Sequence, residues 1–94
     1  MIGQRVSQAK DVIWRRIGDE IVVIKEDGLS LHVLNKTAAC IWDMCDGTCT
    51  VDDITARLCE RFEISPEQAR EDVKETLRVL TKLGIIKYNI VLVR

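Results

Sequence analysis

The apolar positions of this chain change period once, and the change falls at Asn35. Before it they gather in short runs: VIWRRI at residues 12–17, EIVVIK at 20–25 and LSLHVL at 29–34. β-Branched and aromatic residues are frequent in these runs. The gaps, Gly18-Asp19 and Glu26-Asp27-Gly28, pair Gly with Asp, residues that tolerate the positive φ of tight hairpins. The pattern predicts three short strands joined by two hairpins, an antiparallel meander.

After Asn35 the spacing becomes three and four. Ala38, Ile41, Trp42 and Cys45 share one helical face, Asn35 is placed to cap that helix, and Gly47 to stop it. Thr50 followed by Val51-Asp52-Asp53 starts a second helix over residues 51–62, with acids in its first turn. Ser65-Pro66-Glu67 starts a third over 66–83, lined by Ala69, Val73, Leu77 and Leu80 and closed by Gly84. The tail, residues 85–93, is rich in β-branched residues and predicts a strand or an ordered extension. Packing the meander's inner face on the helices gives an α+β, winged-helix-like domain: a three-stranded antiparallel sheet followed by three helices.

Composition narrows the function classes. Ninety-four residues suffice for one core, so residues 1–94 read as a single domain. A net charge of −1 lacks the basic excess of a nucleic-acid binder. No apolar run approaches the ~20 residues that span a bilayer, and the N-terminus lacks a signal-peptide core. A cytoplasmic location with reduced cysteines is the default expectation.

Candidate chemistry is sparse. Cys45 and Cys49 have the spacing of half a zinc site, but Cys40 and Cys59 do not repeat it. A metal or redox module therefore stands against the simpler reading of small buried hydrophobes. His32 is the only histidine, which leaves a Cys/His dyad without a placed partner. The pairs Asp52-Asp53 and Glu71-Asp72 are adjacent on helices and do not face one another. Arg70, Lys74, Arg78 and Lys82 form a cationic stripe on the third helix, which also carries Glu67, Glu71, Asp72 and Glu75. Equal counts make a DNA-recognition helix a weak reading, while an acidic peptide partner stays open.

The third strand is more informative. It is an edge of the meander, and LSLHVL contains none of the Lys or Pro that usually blunts an edge. Such an edge can accept an extended peptide as an added strand. It could equally be covered by residues 85–93 or by a second copy of the chain.

An ordered set of residues resembles the PqqD-like family, also called RiPP recognition elements. The set comprises Leu34-Asn35, Ala38-Ala39, Ile41-Trp42, Asp46-Gly47, Thr50 to Ile54, Asp72-Val73, Leu77 with Leu80, and Leu83-Gly84-Ile85. VIWRRIGDEIVVI resembles the family's opening strands, so the resemblance spans about residues 11–86, with 87–94 as a tail. It implies a three-stranded sheet with three helices, no catalysis by the domain itself and no cofactor. It implies binding of the leader of a ribosomally made precursor peptide and its presentation to a maturation enzyme, often a radical SAM protein, in the biosynthesis of PQQ or another such product. The leader would add as a strand to strand three, beside helix three. Carried over by position, Leu29, Ser30, Leu31, His32 and Val33 would supply the ladder, and Arg70, Lys74, Leu77 and Arg78 the helix side, with Val79 as the competing flank. The sequence departs from the family in having Leu29-Ser30-Leu31 where many relatives carry aromatic residues, and in its four cysteines.

Overall fold

The computed structural model describes the backbone of residues 2–26, 28 and 30–92, and the side chains of residues 4–26, 28 and 30–88. Eight elements follow in order: β1 (Ile2–Gln8), β2 (Val12–Ile17), β3 (Glu20–Lys25), β4 (Leu31–Leu34), α1 (Lys36–Asp43), α2 (Val51–Phe62), α3 (Pro66–Lys82) and β5 (Ile86–Leu92). The expected α+β arrangement is present: β2, β3 and β4 form an antiparallel sheet in that order, and three helices follow.

Each helix begins where its capping residue is placed. The Asn35 Oδ1 accepts from the Ala38 N–H at 2.9 Å, and the Ser65 Oγ from the Gln68 N–H at 3.1 Å. Thr50 and Asp53 form a reciprocal box, at 3.2 and 2.9 Å. These bonds satisfy N–H groups that a helix start leaves orphaned. They also hold the Asp53 carboxyl below its usual range. Helix α1 is shorter than its period suggests. It ends at Asp43, after which Met44 and Cys45 turn back by bonds to Ile41 and Trp42 at 3.1 and 3.0 Å.

The sheet sorts its side chains by parity. Ile21 and Val23 of β3 are fully buried against the helices, with Leu34 beside them. Trp42 of α1 is fully buried and meets Trp14 of β2 edge to face at 6.3 Å. Burying each large apolar side chain contributes roughly 1.5–3 kcal/mol. Ile13, Ile17, Leu31 and Val33 take the other parity and lie exposed on the outer face.

Two features depart from the sequence reading. Residues 2–8, read only for targeting signals, form β1. The tail forms β5, and β5 pairs with β1 rather than with β4, in an antiparallel register from Ile2↔Leu92 to Gln8↔Ile86. Val93, the end of the expected tail strand, lies outside the described residues. On its other side β1 is held by the 45–49 loop: the Val6 N–H donates to the Cys49 carbonyl at 3.1 Å, and the Gln8 N–H to the Cys45 carbonyl at 2.8 Å. Val6 is fully buried there. The tail is thus engaged well away from the β4 edge.

Candidate functional site

Among the described residues strand β4 has one neighbour, β3, with register Ile21↔Leu34, Val22↔Val33, Val23↔His32 and Ile24↔Leu31. The Lys25 N–H donates to the Ser30 carbonyl at 3.2 Å. In an antiparallel pair such bonds recur at alternate residues. The groups of Ser30, His32 and Leu34 therefore face β3, and those of Leu31 and Val33 face outward. An incoming strand would find two N–H donors and two carbonyl acceptors. Leu29 lies outside the described residues.

A groove of about 440 Å³ runs beside this edge. Leu31, His32, Val33 and Leu34 form one wall, Asn35 and Ala38 close the end at α1, and Glu75, Thr76, Val79, Leu80 and Leu83 form the α3 wall. Val79 is 39% exposed, whereas Leu80 is buried and Leu83 half-buried. A side chain opposite His32 or Leu34 on an added strand would point inward, towards this wall. The hydrogen bonds from Arg78 hold the Glu75 carboxyl, at the rim, below its usual range.

The expected site residues divide. Leu31, His32 and Val33 line the groove, and Ser30 precedes them. Arg70, Lys74, Leu77 and Arg78 do not: the helix flank beside β4 is that of Val79, the competing alternative. Leu77 is fully buried at the centre of the core face. Lys74 and Arg78 lie on the opposite flank, facing Gln4 and Tyr88. Arg70 points towards α2, 3.9 Å from Asp52. Thr76, Leu80 and Leu83 of the groove wall went unnamed as site residues in the sequence reading. The signal for them is the spacing Thr76-x-x-Val79-Leu80-x-x-Leu83, which runs up one side of the core stripe.

The cysteines do not converge on this groove. Cys40 and Cys45 are buried in the core; Cys49 and Cys59 are half-buried, and all four are free thiols. Burial pushes the Cys45 thiol up to about 12, with Cys49 and Asp46 adding to the effect. A thiol so protonated is a poor nucleophile at neutral pH. Among the described residues, no three His, Cys, Asp or Glu side chains are grouped to hold a metal ion, and no helix is long and apolar enough to cross a membrane.

Comparison with known proteins gives two kinds of match. A family model described as coenzyme PQQ synthesis protein D (PqqD) matches residues 20–86. No curated protein matches the chain. Among solved structures, TbiB1 in complex with the TbiA(beta) leader peptide superposes with a TM-score of 0.78 at 18% identity, over 86% of this chain and 94% of that one. The heterocyclase TruD superposes with a TM-score of 0.67 at 15% identity, over 92% of this chain and 12% of that one. The chain thus spans about an eighth of the heterocyclase. At these identities the likeness is one of fold.

Proposed function

The chain belongs to the PqqD family, and from that premise we propose that it is a non-catalytic docking protein for the leader of a ribosomally made precursor peptide. The leader zips onto β4 as a fourth strand, and the complex presents the remainder of the peptide to a maturation enzyme, a radical SAM protein or another modifying enzyme. The observation that carries the proposal is the outward-facing backbone of Leu31 and Val33 beside an apolar groove. The leader bound to TbiB1, a protein of the same fold, lends it support, as does a matched family whose description names coenzyme PQQ synthesis.

Magnitudes divide the labour between backbone and side chains. Four ladder hydrogen bonds are worth about 1 kcal/mol each. Association costs at least about 4 kcal/mol in lost freedom. The ladder alone therefore gives little affinity. Apolar side chains at alternate leader positions, seated against Val79, Leu80 and Leu83, supply the rest at roughly 1.5–3 kcal/mol apiece. They also supply the selectivity, because every peptide offers the same backbone.

The test is a titration of this chain with synthetic leaders of candidate precursor peptides, and with the leader that binds carrying proline mid-ladder. Proline removes a donor and fixes φ. A loss of affinity of about fivefold or more is expected. Equal affinity of the two peptides would rule out strand addition.

A further inference from the structure

We infer that the flank of α3 opposite the β4 groove is a second docking surface, and that its occupant is an acidic, apolar-centred segment of the enzyme that receives the peptide. This assignment of the occupant rests on the docking function proposed above. The observation beneath it is the lining of the groove on this flank. By count, α3 is balanced. Yet the groove on this flank, about 560 Å³, is lined by Lys74, Arg78 and Lys82 and by no carboxylate. Its exposed apolar surface comes from Val51 of α2 and the Tyr88 ring of β5, while Leu77 at its floor is fully buried. The acids Glu71, Asp72 and Glu75 line an adjoining hollow that Lys74 and Arg78 border as well. There Glu75 engages Arg78 at 2.7 Å. Among the described residues no ion pair engages Lys74 or Lys82.

The spacing selects the ligand. Lys74 and Lys82 are two i,i+4 steps apart, about 12 Å along the axis at 1.5 Å per residue. A single small anion cannot meet both. A polypeptide segment with two carboxylates at that separation and an apolar side chain between them meets both cations and covers the floor. A nucleic-acid backbone would carry its charge onward past Glu71, Asp72 and Glu75.

Position selects the enzyme over the leader. The two grooves lie on opposite flanks of α3, so a strand added to β4 leaves this one accessible. One wall comes from Gln4 of β1 and Tyr88 of β5. Those residues lie outside the segment 20–86 that the family model matches.

The test uses the full chain, labelled for NMR, and a short synthetic peptide of alternating Glu and Leu, with Gln–Leu and Lys–Leu counterparts. The Glu–Leu probe is expected to shift the amides of Lys74, Thr81 and Tyr88. It should bind roughly tenfold more tightly than the Gln–Leu probe at low salt and lose that advantage as salt rises. The double variant Lys74→Glu, Lys82→Glu should reverse the preference in favour of the Lys–Leu probe, which a merely misfolded variant would not do. A maturation enzyme that accepts the peptide from this chain should displace the Glu–Leu probe. Shifts confined to Leu31–Leu34, an unchanged preference in the double variant, or an enzyme that binds without displacing the probe would each overturn the inference. The leader titration is read separately: its failure in the unmutated chain overturns the docking function, and with it the assignment of the occupant to the receiving enzyme, whereas failure of the probe alone overturns only the second surface.

Discussion

The two edges of the β2–β3–β4 sheet have the same backbone chemistry and opposite surroundings. Around the two-residue turn Gly18-Asp19, the pair Ile17↔Glu20 closes the hairpin, so the backbone groups of Trp14 and Arg16 face away from β3, as those of Leu31 and Val33 do at β4. What differs is the space between edge and helix. At β2 that space is filled from within: Trp14 packs on Trp42, and Arg16 donates two bonds of 2.6 Å to Asp43. At β4 the inward side chains are His32 and Leu34, and a groove remains against α3. Vacant hydrogen-bonding groups alone do not make a peptide site. An edge becomes one when a neighbouring helix leaves room for side chains, and charges such as Arg15 and Arg16 guard the edge that lacks such room.

The comparison can be broken most forcefully at the groove wall. Val79→Glu places a carboxylate where the leader's apolar side chain would seat. Burying an unpaired charge costs several kcal/mol, so leader affinity should fall by more than about tenfold. The melting temperature should hold, because Val79 is partly exposed and outside the core cluster. Calorimetric titration with a thermal melt reads both.

A smaller effect sharpens the contrast between the backbones. Val33→Pro removes one outward N–H without touching a bond to β3, a position where edge strands tolerate proline. The expected loss is about 1 kcal/mol, roughly fivefold in leader affinity. Arg16→Pro makes the same deletion at β2 and should leave affinity unchanged. Equal losses from the two would mean that both edges take the peptide and that the filled space at β2 does not matter.

The sequence made some of this legible and not the rest, for physical reasons. Helix starts are local: Asn35, Thr50 and Ser65 bond to N–H groups three residues on, so their roles could be read directly. The meander was legible because its turns need residues such as Gly18, whose φ is +60°. Strand β1 was not legible. Among the described side chains of IGQRVSQ, Val6 alone is placed in the core, and the segment is a strand because β5 and the 45–49 loop supply its partners. The helix flank facing β4 was equally hidden. Leu77 sits at the centre of the core stripe, so the Lys74–Arg78 side and the Val79–Leu83 side are equivalent by periodicity. Only the placement of β4 distinguishes them. The charge count on α3 likewise concealed a groove bordered by Lys74, Arg78 and Lys82 and by no carboxylate.

Amide hydrogen exchange, read residue by residue with and without the leader, tests strand addition most directly. On leader binding, the Leu31 and Val33 amides should become protected, while those of Trp14 and Arg16 keep their rates. Unchanged exchange at Leu31 and Val33 under saturating leader, or protection appearing at Trp14 and Arg16 instead, would contradict the account.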